Sequence, residues 1–295
     1  MRKKLSAKTI ILISLAVILV SIPALAEVRL GFKFYGGWCT LGGGDLNSGA
    51  EGIWSAMTSL ILEAPGATAS GEFAPVYSGM DVGGDLILEF TRSFGISLGA
   101  GYMRSSKASL MTFGGGVLPH NITNNADVRA GAVRLSLQAR YVLPTTSGLS
   151  VVFHAGPDFY LAGIRSRAFL EFDGSEYMAI DSQADGTGLG FQGGMGLEYD
   201  LNSHLGLFLE AVGRYAEFAG FDGQSKMMLM GSEYFSNNGT LYYLDYVSSS
   251  QSNAEILCYS TLPSNPNFKN IREAKIDFSG ISLRLGFVVR LGPEI

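Results

Sequence analysis

The sequence predicts an all-β fold: an antiparallel up-and-down transmembrane β-barrel of eight strands, with ten as the alternative, and with long loops on one side. Three observations predict it. Eight segments of about ten residues alternate apolar with polar or small residues, the period of a strand whose two faces differ. The connections between them are short and long in turn. Glycine makes up 39 of 295 residues, near double the usual ~7%, and much of it lies inside alternating stretches such as "GISLGAGY" and "GLGFQGGMGLEYDL". Glycine weakens a water-facing strand, so something must favour small residues there.

The first 26 residues stand apart. Arg2, Lys3, Lys4 and Lys8 precede the eleven-residue apolar run "IILISLAVILV", and "ALA" closes the segment at 24–26. This is the pattern of a cleaved signal peptide over 1–26, with an N-terminal anchor helix as the alternative. The run is shorter than the ~20 apolar residues of a spanning helix. Residues 27–295 are then expected to form one barrel domain of an exported protein. No cysteine follows the cleavage site, so a lipid anchor is not expected. The 21 basic residues less those four, set against 26 acidic ones, leave a mature net charge of −9, which argues against nucleic acid as a partner.

The strands follow in order. Val28 to Trp38 sets Val28, Leu30, Phe32 and Phe34 against Arg29, Lys33 and Tyr35. Met80 to Thr91 sets Val82, Leu86, Leu88 and Phe90 against Asp81, Asp85 and Glu89, and Gly95 to Met103 sets Ile96, Leu98, Ala100 and Tyr102 against Ser97, Gly99 and Gly101. Gly131 to Leu143 opposes Val133, Leu135, Leu137, Ala139 and Tyr141 to Arg134, Ser136, Gln138 and Arg140. Leu149 to Ala162 opposes Val151, Phe153, Phe159 and Leu161 to Ser150, His154, Asp158 and Tyr160. Gly188 to Leu201 places Gln192, Glu198, Asp200 and three glycines opposite Leu189, Phe191, Met195, Leu197 and Tyr199. His204 to Tyr215 places Glu210 and Arg214 opposite Leu205, Leu207, Leu209 and Tyr215. Last, "ISLRLGFVVRLG" from 281 alternates Ile281, Leu283, Leu285, Phe287, Val289 and Leu291 with Ser282, Arg284, Gly286, Val288 and Arg290.

The connections "RSF", "PTTSG" and "NS" are tight, whereas the others span roughly 41, 27, 25 and 60 residues rich in Gly, Ser, Asn and Pro. A soluble barrel would turn its apolar face inward, and an outer-membrane barrel turns it outward. The polar faces mix glycine with single charges, which suits a narrow interior. Ten-residue apolar faces match the ~9 to 11 residues of a tilted spanning strand. The outward aromatics also sort into two girdles, Phe34, Trp38, Tyr102 and Tyr215 toward the long loops and Phe90, Tyr141 and Tyr199 toward the tight turns.

Near the end stand Arg284, Gly286, Val289 and Leu291, a polar residue, a glycine and alternate hydrophobics. With these residues and this architecture, nearly all of the mature chain resembles the small eight-stranded outer-membrane barrels of Gram-negative bacteria, of the OmpA transmembrane domain, OmpX and OmpW type. The resemblance implies periplasmic termini, lipid and lipopolysaccharide around the barrel, and assembly machinery that reads Arg284, Gly286, Val289 and Leu291 as its signal. Such barrels usually finish on an aromatic, whereas this chain continues "GPEI".

Inward-facing Glu89, Arg134, Arg140, His154, Asp158, Glu198, Glu210, Arg214, Arg284 and Arg290 put both signs of charge into one lumen, where ion pairs are expected because unpaired buried charge is costly. A structural plug is the first reading and a narrow porin-like conduit for small or hydrophobic molecules the second. The plug reading leaves surface, structural or adhesive roles to the long loops, with an extracellular ligand or host surface as partner. A lipid A-modifying enzyme is a third, weaker reading: that pattern of His, one residue, then Ser is absent at His120, His154 and His204. No catalytic residue, metal site or cofactor is expected. Cys39 and Cys258 fall in loops that adjoin when first and last strands meet, so a disulfide is expected. "MMLMGSEYFSNNGTLYYLDYV" is expected to form a hairpin turning at Asn238–Gly239, either above the membrane or, in a ten-stranded barrel, in the periplasm. Its Met and Tyr residues also suit an apolar ligand or partner.

Overall fold

The computed structural model describes residues 28–118, 121–146, 148–247 and 252–291. The signal segment 1–26, His120 and the final "GPEI" lie outside them. In chain order the elements are β1 (Arg29–Thr40), α1 (Asp45–Leu62), β2 (Thr68–Glu72), β3 (Ser78–Glu89), β4 (Phe94–Gly114), β5 (Ile122–Thr146), β6 (Leu149–Phe172) and β7 (Ser175–Asp200). There follow β8 (Leu205–Tyr215), β9 (Glu217–Phe218), β10 (Asp222–Leu229), β11 (Ser232–Val247), β12 (Ser252–Tyr259), β13 (Phe268–Glu273), β14 (Ile276–Asp277) and β15 (Gly280–Leu291).

Eight of these strands close a ring. β1, β3, β4, β5, β6, β7, β8 and β15 each pair antiparallel with the next, and β15 returns to β1. The closing seam runs from Leu30 opposite Leu291 to Cys39 opposite Ser282. All eight are the alternating segments of the sequence, and the three short connections are tight turns at one end. Period-two alternation sends Leu135, Leu209 and Leu285 outward, the last of them 64% exposed, and sends Arg134, Glu210 and Arg284 inward, all at least 96% buried. The faces are thus inverted relative to a soluble barrel.

The far end departs from the loops expected there. β4 to β7 do not stop at the apolar belt but continue as hairpins to turns at Gly115–Gly116 and Asp173–Gly174, where all four residues have positive φ. Beyond the belt the inward positions are mostly small or apolar, as with Ala126, Val128 and Ala130, with Asn124 an exception, so the alternation persists while the outer face turns polar. The segment of 41 residues after the first strand holds a helix. Leu46, Ala50, Ile53, Trp54, Met57 and Ile61 are its buried stripe, at the three-to-four spacing of one helical face.

The hairpin of the last long connection forms as β10 and β11, but it turns at Met230–Gly231. Asn238 and Gly239 lie within β11, opposite Gln224 and Gly223. A glycine is needed at 239 because a Cβ there would enter the Tyr259–Ser260 backbone of the neighbouring strand. β10 does not join the ring; it pairs with the far half of β7, from Asp222 opposite Asp185 to Leu229 opposite Met178. β11 and β12 continue that sheet, so the ring holds eight strands and not ten.

These parts make a cap. α1 lies against β12 through two glycines, since a Cβ on Gly49 would meet the Ile256 Cβ at 2.6 Å and one on Gly52 would strike the Ala254 carbonyl. The Asn124 amide of β5 donates to the Trp54 carbonyl (2.7 Å) and the Thr58 hydroxyl (2.9 Å), and Arg272 of β13 pairs with Asp45 in the first turn of α1. One apolar core joins Leu41, Leu46, Val128, Ile164, Leu241, Ile256 and Phe278. Cys39 and Cys258 belong to that core as buried free thiols, so the expected disulfide is not formed.

Candidate functional site

The lumen is built by parity: every second residue of eight tilted strands points at one axis, and most are too large to share a level unless glycine faces them. A Cβ on Gly83 or Gly101 would lie 2.6 or 2.8 Å from the Tyr35 hydroxyl, and one on Gly194 would lie 2.6 Å from His154 Nε2. The in-strand glycines therefore make room for the lumen's aromatic and charged side chains. They supply part of the glycine excess, and turns and close contacts in the cap supply more of it.

The charges form three tiers. At the tight-turn end Arg140 bridges Glu89 (2.7 Å) and Glu198 (2.6 Å), while Arg290 pairs with Glu198, Asp200 (2.6 Å) and Glu89 (3.7 Å). In the middle Glu210 accepts from Lys33 and Arg284 (3.4 Å), with His154 Nε2 standing 3.4 Å away, and Lys33 also lies 3.9 Å from Asp85 and 4.3 Å over the Phe208 ring. Above it Asp81, fully buried, accepts from Arg284 Nε (2.9 Å), Arg284 Nη2 (2.7 Å) and the Ser282 hydroxyl (2.8 Å), with Arg134 at 3.6 Å and Arg214 at 3.9 Å. Arg134 donates to the Tyr35 hydroxyl (2.7 Å), and Arg284 lies over the Tyr35 ring. The Tyr160 hydroxyl donates to Asp158 (3.1 Å).

All ten candidate lumen residues therefore face the interior. Glu89, Arg140, Glu198 and Arg290 come together at one level, His154 and Glu210 at the next, and Arg134, Arg214 and Arg284 around Asp81. Asp81, Lys33, Asp85 and Tyr35 are central members missing from the candidate set. Their inward parity was visible in the alternation, but the pairing that makes them central depends on barrel register.

Above the charges the lumen narrows to an aromatic stack. Phe218 lies 5.5 Å from Phe221 and 5.6 Å from Phe278, both nearly parallel to it, and Tyr160 continues the stack onto Phe278 at 6.4 Å. The cap closes over this layer. Within the cap, burial pushes the Glu255 carboxyl up to about 7, and Asp45 raises the Arg272 guanidinium further above its usual value.

Of the girdle residues, Trp38, Phe90, Tyr102, Tyr141, Tyr199 and Tyr215 are exposed on the outer face, Tyr141 packing on Phe94 at 4.9 Å beside a tight turn. Phe34 is exposed but stands mid-register opposite Gly84 and Phe287, its ring 5.3 Å from Phe287, so it belongs to the middle of the belt. In the C-terminal strand Arg284 points inward and Leu291 outward, and Gly286 leaves space for the Phe208 ring and the Phe34 carbonyl. Among the described residues no cluster of three or more His, Cys, Asp and Glu is placed to hold a metal ion.

A family model described as "Outer membrane protein beta-barrel domain" matches residues 12–226. The chain belongs to this family of outer-membrane β-barrel proteins. In such a barrel the exposed belt of Leu135, Leu209 and Leu285 faces lipid, and the paired charges fill the interior. Two solved structures bear a distant likeness. The crystal structure of the outer membrane protein OprG from Pseudomonas aeruginosa is 13% identical over 89% of this chain and 96% of that one, with a TM-score of 0.39. The RagAB peptide importer in its closed-closed state is 11% identical over 89% of this chain and 40% of that one, with a TM-score of 0.18. Neither is close enough to carry an argument about function. Among curated proteins none matches.

Proposed function

We propose that this outer-membrane barrel is a closed, non-enzymatic scaffold that holds a folded cap on the cell surface and acts through that cap in structural or adhesive contacts. The observation that carries this reading is the Asp81 cluster. It ties β3, β5, β8 and β15 together across the lumen, and the Phe218, Phe221, Phe278 and Tyr160 stack lies above it. An ion permeating here would have to separate ion pairs buried among packed side chains, which is costly. In this reading the tight turns and both termini are periplasmic, and the outward aromatics anchor the two interfaces. Arg284, Gly286, Val289 and Leu291 serve the assembly machinery.

Planar-bilayer recording of the purified full chain is expected to show no stable single-channel steps. Reproducible steps would favour a narrow conduit and overturn the closed scaffold. An epitope inserted at Gly231, in the β10–β11 turn, is expected to be labelled on intact cells, and labelling only after the outer membrane is opened would reverse the orientation. Lipid A mass spectra are expected to be the same with and without the protein; a new acylation state would restore an enzymatic role.

A further inference from the structure

Where β4 to β7 leave the apolar belt, their outer face carries a depression of about 360 Å³. Its layout follows from register. One cross-strand row reads Arg104, Gly131, Gly163, Asp185. The row toward the cap reads Ser106, Arg129, Arg165, Gln183, and the row toward the belt reads Tyr102, Val133, Leu161, Thr187. The two central glycines supply no side chain, so the floor is bare backbone, overhung by the Tyr102 hydroxyl and the Asp185 carboxylate.

Two features of this depression point to an anion. Arg129 and Arg165 stand directly opposite each other on adjacent strands, where like charges repel, and the carboxylates of Asp181 and Asp127 act on Arg165. Arg165 is engaged by Asp181, but Arg104 and Arg129 are exposed and make no ion pair among the described residues. The position narrows the identity of that anion. Tyr102, Val133 and Leu161 below are exposed apolar belt residues, so a ligand seated here has its charged part against the arginines and its apolar part along the wall. Asp185 and Gln183 at the far side offer acceptors for sugar hydroxyls, which a simple glycerophospholipid lacks in that number.

We propose that this depression binds the phosphorylated sugar headgroup of the outer-leaflet glycolipid, with Arg104 and Arg129 on phosphate, Asp185 on a hydroxyl and acyl chains along Val133 and Leu161. The proposal rests on the orientation given above, in which the cap faces outward. The site lies on the barrel wall and not in the lumen, so it is independent of whether the lumen conducts.

The test is native mass spectrometry of the full chain in detergent with bis-phosphorylated lipid A, its dephosphorylated form, phosphatidylglycerol and inorganic phosphate as probes. Bis-phosphorylated lipid A is expected to be retained, and the R104Q/R129Q double variant to retain it about tenfold less, the loss expected from removing charge-assisted hydrogen bonds. Both side chains are exposed, so the variant should keep the parent's heat-modifiable gel mobility. Retention of phosphatidylglycerol or dephosphorylated lipid A equal to that of the bis-phosphorylated form would overturn the proposal, as would competition by inorganic phosphate at equal concentration. Unchanged retention by the folded double variant would do the same. Binding in detergent does not depend on which end faces outward, so a failed epitope experiment on intact cells and a failed binding experiment are separate results.

Discussion

Asp81 is the residue on which most of the lumen converges. Three arginines, Arg134, Arg214 and Arg284, lie within 3.9 Å of its carboxylate. Asp81→Asn leaves those cations without their shared anion and is expected to cost about 3 to 5 kcal/mol. Asp85→Asn, whose ion partner is Lys33 at 3.9 Å, should cost far less. Urea unfolding of both variants in the same lipid checks the order, and equal losses would refute the central place given to Asp81. On the outer wall Leu285→Arg puts a charge against hydrocarbon and should cost about 2 to 4 kcal/mol near the midplane. A variant as stable as the parent in a bilayer would contradict the lipid-facing assignment. At this scale parity alone predicted which side chains face inward. What it could not supply was partnership: Asp81 and Arg284 are 203 positions apart and meet only once the seam between β1 and β15 has closed.

At the scale of elements, the eight barrel strands were legible because each has to present one face to lipid and the other to a packed lumen, which imposes a strict period of two. Nothing imposes that period on the cap. The stripe Leu46, Ala50, Ile53, Trp54, Met57 and Ile61 of α1 has the three-to-four spacing of a helix and leaves no trace in a period of two. No side-chain cap announces its start; Gly44, at φ 57°, precedes it, and Asp45 is held from outside by Arg272. The Asn-Gly signal at 238–239 misled for a related reason. The glycine there serves close packing against Tyr259, and Met230–Gly231 makes the turn. The half-buried Glu255 of β12 has a pH consequence. Its carboxyl titrates at about 7 in the folded chain against about 4.3 unfolded, so its contribution is fully present below about pH 4.3 and is lost as pH rises through 7. Hydrogen exchange of β11 and β12, corrected for intrinsic rate, should show opening easier by roughly 1 to 3 kcal/mol at pH 8 than at pH 4. Glu255→Gln should remove most of that difference. No pH effect in the parent would refute the assignment.

At the scale of the whole molecule, two units share one wall. The barrel closes into a ring among the described residues, with lipid around it, whereas the cap packs its apolar residues against the inner face of the extended β4 to β7 staves and ends in an open sheet. Heating in detergent should therefore give two steps, loss of cap protection first and the change in gel mobility later. A single coincident step by both measures would mean that cap and barrel are one cooperative unit. The overall architecture was legible in the sequence because membrane crossing dictates length, period and connection. The cap was not, because the chain that forms it obeys the ordinary and far less restrictive rules of packing in water.

β7 runs as one ladder through both units, its first half pairing with β10 and its second half with β8, while β6 backs it along its whole length. The cap is thus splinted to the wall by a continuous strand, with no flexible tether between them. A force or a bound surface that twists the cap would be delivered as torsion to the β6–β7 staves, which carry Asp158 and Glu198 on their lumenal side. The cap would behave as the handle of the barrel.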